Sequence, residues 1–316
     1  MQRAKLPLAI LALFVLCLGI RLALEKRTRP LAESSVPQRI VSLAPSITET
    51  LFAVGLGDKV IGVTQFCNYP PEAEILPKVA GFSEINLEAL IRVQPDLVVM
   101  PTDKTVNKAQ IERLGIPVLS VEVVRLEGLK KAIKDLSGLT SNRTGELLLT
   151  EIDERMAWAE TWALGKPRPG VLFSVMHAEQ GLGYISEISA IGRDGFYDGL
   201  IELAGGRNVY EGTLPYPRLS REAIIFLNPD VIIDVIPASE NAYTVWRDWM
   251  SLTSVNAIKN KRLFILTDEM HTVPGPRFTQ TLELMSFAFH PDPSGQPKTK
   301  FEAGSFAPSD PEVTHE

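Results

Sequence analysis

From Arg39 the chain alternates short apolar runs with amphipathic ones. "RIVSLA" reads as a short β-rich run. "SITETLFAVGLG" follows as a helix, with Ser46 as N-cap, Glu49 three residues later and glycines at its end, a capping box plus a stop. "KVIGVT" is a second strand. Asn86 caps a helix to about Val93, which Pro95 and Asp96 end, turning the chain into "LVVM". That run is apolar without alternation, as a parallel strand covered on both faces requires. A helix near 105–114 and the strand "PVLSV" complete the unit. Strands separated by helices predict a parallel or mixed α/β sheet.

The pattern then restarts. "GVLFSV" opens a second unit, and "GFYDGLIELAGGRNV" (195–209) echoes the layout of "SITETLFAVGLGDKV" (46–60). "SREAIIFLNPDVII" (220–233) aligns without a gap on "NLEALIRVQPDLVV" (86–99). A helix near 244–258 and the strand "RLFIL" close the second unit. A repeat this long predicts two similar lobes and not a solenoid, whose periods are far shorter. Between the units Leu148, Ile152, Met156, Ala159 and Ala163 mark one face of a helix without internal Gly or Pro from Glu146 to Leu164. The predicted organisation is an N-terminal lobe at 38–140, one long connecting helix at 141–166 and a C-terminal lobe at 167–290. Such a joint restricts relative motion more than a flexible linker does.

The ends carry different signals. Arg3 and Lys5 precede an uncharged run from Leu6 to Ile20, the pattern of an export signal. With its continuation past Arg21 to Leu24 the run would span ~29 Å as a helix, about one bilayer core. Residues 1–37 are therefore expected to be a signal peptide or a retained inner-membrane anchor plus linker. The basic residues after the run outnumber those before it, against the positive-inside rule for a simple anchor. The proline-rich, acidic stretch 291–316 is expected to be a disordered tail. A net charge of −6 argues against nucleic-acid binding. Cys17 lies in the N-terminal run, so Cys67 is the single thiol of the folded part and no internal disulfide is expected.

"RIVSLAPSITETLFAVG", "YPPEA", "GFSEINLEALIRVQPDLVV", "ELAGGRNVYEG" and "PYPRLSREAIIFLNPDVII" together resemble the helical-backbone periplasmic binding proteins of ABC importers, most closely the cobalamin-binding branch. The resemblance covers about residues 38–290. It implies two α/β lobes joined by one long helix, a ligand cleft between them, and delivery of a corrinoid or iron chelate to a permease dimer with its ATPase. In that family a glutamate of each lobe docks on permease arginines, and Glu88 and Glu222 fall on those positions. Read alone, each acid in a first helical turn also complements the helix dipole.

A cleft between α/β lobes is lined by loops at strand carboxyl ends. These loops hold Pro45, Ser46, Phe66, Tyr69, Phe82, Tyr216, Met270 and His271. Flat aromatic walls suit a corrin or porphyrin, and the resemblance places ligand contacts at Phe66, Phe82 and Tyr216. Met270 stands where the cobalamin binders carry a tryptophan, which keeps a haem or ferric-siderophore ligand open as the alternative. His177 and His271 are the candidates for an axial bond to haem iron. Arg218 and Arg277 could pair with acidic groups of a ligand, or Arg277 could start the last helix. Asp268, His271 and a cleft serine such as Ser174 are the raw material of a membrane-anchored hydrolase. No G-x-S-x-G elbow, P-loop, H-E-x-x-H or zinc spacing accompanies them. The expectation is a binding protein without catalytic residues, resident metal or cofactor.

Overall fold

The computed structural model describes residues 36–81 and 84–291. The expected N-terminal signal or anchor, the acidic tail and Phe82 lie outside the described residues.

The first unit builds one five-stranded sheet. Its strands are β1 (Ile40–Ser42), β2 (Val60–Thr64), β3 (Lys78–Ala80), β4 (Leu97–Pro101) and β5 (Val118–Val121), in the order β3-β2-β1-β4-β5. Every pairing is parallel. Helices α1 (Pro45–Ala53), α2 (Pro71–Glu74), α3 (Leu87–Arg92), α4 (Thr105–Arg113) and α5 (Leu126–Ser137) join the strands or follow them. Strand β4 is buried along its whole length, as its unbroken apolar run requires.

Helix α6 (Thr144–Ala163) leads to the second unit. There β6 (Gly170–His177), β7 (Glu187–Ala190), β9 (Arg218–Ser220), β10 (Val231–Val235) and β11 (Leu263–Leu266) order as β11-β10-β6-β7-β9, with β8 (Arg207–Asn208) also on β6. This sheet is mixed, because β7 runs antiparallel to both neighbours. Helices α7 (Phe196–Leu203), α8 (Arg221–Leu227), α9 (Ala242–Met250), α10 (Asn256–Lys259) and α11 (Phe278–Phe289) complete it. The helix expected near 244–258 is therefore two, broken at Ser251–Val255.

The duplicated phrase has a structural meaning that its aspartates reveal. Asp96 accepts hydrogen bonds from the backbone N–H groups of Gln38 (2.8 Å) and Arg39 (3.0 Å), pinning the start of β1. Asp230 accepts from the Gly170 N–H at 2.9 Å, pinning the start of β6. In both copies the residue before the proline, Gln94 or Asn228, takes a left-handed conformation that ends the helix. Asn86 and Ser220 cap their helices by accepting from Ala89 N at 2.9 Å and Ala223 N at 3.3 Å.

Helix α6 is fastened to both lobes. Lys130 of α5 pairs with Asp153 at 2.5 Å. On the other side Trp162 donates to the Ser286 carbonyl at 3.1 Å, and Trp158, Trp162 and Phe287 form an aromatic cluster. One buried apolar cluster runs through both units, from Ile40 and Leu51 to Phe173 and Phe278. Lobes that share a packed core cannot swing apart without opening it.

Candidate functional site

The carboxyl ends of β1, β2, β4 and β5 face the β7–α7 loop and the segments 215–216 and 272–274 across a cleft of about 290 Å³. A recess of about 320 Å³ shares Pro45, Phe66 and Thr272 with it and extends along the ends of β6 and β10. The walls are mostly apolar: Pro45, Pro101, Val123 and Val124 on one side, Ile191, Phe196, Tyr197 and Tyr216 on the other. Two aromatic side chains of the cleft are solvent-exposed, Phe66 at 44 % and Tyr216 at 62 %. Asp103 and Lys104 place opposite charges at the N-lobe rim. Asn68 donates to Glu269 across the lobes at 3.2 Å. Gly192 is on the floor because an added Cβ would lie 1.8 Å from the Leu214 carbonyl oxygen.

Of the expected ligand contacts, Pro45, Phe66 and Tyr216 come together in this cleft. Ser46, Met270 and His271 do not. Pro45 starts α1, Ala44 is its N-cap and no side chain caps it, so Ser46 sits inside the first turn and is buried. Met270 and His271 belong to a single 3₁₀ turn that rolls both side chains inward. His271 Nδ1 shares a 2.9 Å hydrogen bond with Thr281 Oγ1, and burial lowers its pKa. The next residues, Thr272 and Pro274, line the cleft in their place. Tyr69 lines a separate recess beside α6.

His177 is also turned away. Its ring donates from Nε2 to Asp234 Oδ2 at 2.7 Å, and Trp249 Nε1 donates to the same oxygen at 2.7 Å. Burial alone would lower its pKa, but the bond to Asp234 and the charges of Asp234, Glu240 and Asp248 raise it. Ser174 is wholly buried on β6, so it forms no accessible constellation with Asp268 and His271. Cys67 is buried between the hydroxyls of Thr48 and Thr64. Arg218 pairs with Glu187.

Sequence reading missed the interlobe ion pair. Glu49, expected to complete a capping box, instead meets Arg277: Nε donates to Oε2 at 3.0 Å and Nη2 to Oε1 at 2.6 Å. The guanidinium also lies 3.7 Å over the Tyr69 ring. Burial raises the Glu49 pKa even beside Arg277, while the bond to Glu49 raises that of Arg277 against the effect of its own burial. Tyr197 was missed too. It lines the cleft, its hydroxyl is buried without a partner, and burial keeps it protonated. No local pattern marks Arg277 as the partner of Glu49, because 228 residues separate them, and Tyr197 sits in no motif that marks it.

Glu88 and Glu222 are both solvent-exposed, in the first turns of α3 and α8. Among the described residues lining the cleft and its recess there is no His, Met or Cys. Nor does any group of described His, Cys, Asp and Glu residues have a metal-holding arrangement. No described helix is long and apolar enough to cross a membrane.

A family model described as periplasmic binding protein matches residues 40–270. The vitamin B12-binding protein of Vibrio cholerae serotype O1 is 27 % identical over 258 residues, covering 80 % of this chain and 89 % of that one. An uncharacterized ABC transporter substrate-binding lipoprotein of Bacillus subtilis is 28 % identical over 269 residues, covering 81 % of each. Among solved structures, a periplasmic heme binding protein from Pseudomonas aeruginosa superposes with a TM-score of 0.68 at 25 % identity. That match covers 81 % of this chain and 94 % of that one. With two α/β lobes, a single connecting helix and an open cleft between them, the chain belongs to the periplasmic binding protein family.

Proposed function

We propose that the protein captures a corrinoid, cobalamin in the first instance, in the interlobe cleft and delivers it unchanged to an ABC permease dimer with its ATPase. The carrying observation is the chemistry of the cleft. Phe66 and Tyr216 are solvent-exposed aromatic side chains in the cleft, suited to packing on a flat macrocycle, and the described lining offers no His, Met or Cys. Such a site suits a chelate whose metal is already fully coordinated. Haem in the same cleft would need an axial donor, and the open phenol there is Tyr216. The Vibrio relative's B12-binding name supports the corrinoid reading, and the Pseudomonas structure's heme-binding title supports haem as the alternative.

The proposed cycle has three steps. The chelate enters between Phe66 and Tyr216 with little lobe closure, because the shared core and the fastened helix resist it. The loaded protein docks through Glu88 and Glu222, whose charges fix register and raise the association rate. The permease's ATPase then powers import. Residues 1–37 provide export, and the mass of the mature protein distinguishes a cleaved signal from a retained anchor.

The test is titration of the purified protein with cyanocobalamin, haem and a ferric hydroxamate, read by absorbance and intrinsic fluorescence. Saturable 1:1 binding of cyanocobalamin is expected, with Phe66→Ala and Tyr216→Ala each weakening it about 10-fold, or ~1.4 kcal/mol. A shifted Soret band with haem, alongside no response to cyanocobalamin, refutes the corrinoid reading.

A further inference from the structure

The two docking glutamates sit at equivalent places in the repeat, yet their surroundings differ. Four residues after Glu88 comes Arg92, and its Nη2 donates to the Glu88 carboxylate at 2.8 Å. Four residues after Glu222 comes Phe226, which is 88 % exposed. Residues spaced i and i+4 are neighbours on a helix surface. One lobe therefore presents an acid neutralised by its own cation, the other an acid beside a bare aromatic ring.

The only cation on α8 is occupied elsewhere. Arg221 donates through Nη1 to Ser251 Oγ at 2.8 Å and through Nη2 to the Ser251 carbonyl at 3.0 Å. The Glu222 carboxylate is held below the usual range by its own backbone N–H and by Ser220, so it stays ionised. A phenylalanine this exposed adds nothing to the core of its own lobe. Ile225, next to it, is exposed as well.

We infer that α8 carries the dominant docking contact: a partner arginine pairs with Glu222 and lays its guanidinium on the Phe226 ring, so the protein seats on its permease in one orientation. This rests on the docking reading above, which already pairs each glutamate with a permease arginine, and adds to it the Phe226 ring as a second contact for that arginine and an inequality between the lobes. Arginine fits because its flat guanidinium pairs with a carboxylate through one edge and stacks on a ring through its face; a lysine ammonium does not do both. On the other lobe an incoming arginine competes with Arg92. That exposed pair is weak, so Glu88 still contributes, but to a smaller degree. The inequality breaks the two-fold equivalence a symmetric permease would otherwise meet.

The experiment measures binding of the cyanocobalamin-loaded protein to its cognate permease–ATPase complex in lipid nanodiscs, by biolayer interferometry. Glu222→Ala and Phe226→Ala are each expected to weaken binding at least 10-fold. The double variant should fall short of the product of the two, because both act on one guanidinium. Phe226→Tyr retains binding, and Glu88→Ala costs under 3-fold. Because Phe226 is outside the core, thermal melts should match wild type, which separates docking from folding. If wild type binds and Phe226→Ala binds within 2-fold of it, the inference falls while the docking reading stands. An equal or greater loss in Glu88→Ala than in Glu222→Ala also overturns it. A wild-type protein that does not bind the permease removes both. A self-associated dimer that Phe226→Ala dissolves would assign the ring to a second copy and overturn the proposal.

Discussion

Replacing Arg277 by methionine removes one half of a buried, bidentate interlobe pair. Glu49 is 4 % exposed and Arg277 20 %. The variant leaves a buried carboxylate without its cation, a change that costs 3–5 kcal/mol for fully buried pairs. Partial exposure of Arg277 places this case near the low end, about 3 kcal/mol, including ~0.5–1 kcal/mol from the lost contact with Tyr69. For a chain of this size that corresponds to a fall in Tm of roughly 6–12 °C. Glu49 is already held above its usual range by burial, and without Arg277 it rises further. A carboxyl with a raised folded pKa loses stability as pH climbs from its unfolded pKa through the folded one, so the gap to wild type widens as pH rises above the usual carboxylate range. The double variant Glu49→Leu/Arg277→Met removes both charges and recovers most of the loss, giving a coupling of about 2 kcal/mol. Urea unfolding followed by circular dichroism reads all four proteins of the cycle. A Tm shift under ~2 °C for Arg277→Met, or strict additivity, refutes the claim that this pair ties the lobes together.

The two buried histidines have opposite pH signatures. Asp234 raises the pKa of His177 above its unfolded value, so its contribution is complete below about pH 6.5 and fades as pH rises through the folded pKa. The melting gap between wild type and His177→Gln should therefore narrow towards alkaline pH; a gap constant from pH 5 to 9 refutes this. Burial lowers the pKa of His271, so its contribution is present above the unfolded pKa near 6.5 and is lost as pH falls from there through the folded pKa, and His271→Gln should draw closer to wild type at acid pH. Divergence at acid pH counts against it. Gly192→Ala forces a Cβ against the Leu214 carbonyl, where Gly192 N also donates to the Pro215 carbonyl at 2.8 Å. A loss of about 1–3 kcal/mol is expected, with weakened ligand binding, and a variant as stable as wild type shows that the floor can yield.

Sequence alone determined the repeating α/β architecture and the connecting helix, because these follow from interactions between near neighbours. The unbroken apolar run "LVVM" became the buried strand β4. Asn86 and Ser220 capped as their residue types dictate, and both helices ended at the residue before the proline. The exposure of the aromatics Phe66 and Tyr216 was legible as well, each lying in a loop rather than in a strand or helix. Tertiary structure decided what each polar side chain does. Glu49 has the spacing of a capping residue but lies inside α1, where its carboxylate reaches Arg277. His271 and Met270 sit in a cleft loop by sequence and face the core because one 3₁₀ turn rotates them. The contrast between Glu88 beside Arg92 and Glu222 beside Phe226 is written in the chain. Its meaning needed the structure, which shows Arg221 bonded to Ser251 and the ring left bare. A local pattern specifies elements through hydrogen bonds and packing a few residues away, whereas the partner of a buried charge is chosen by how two distant surfaces meet.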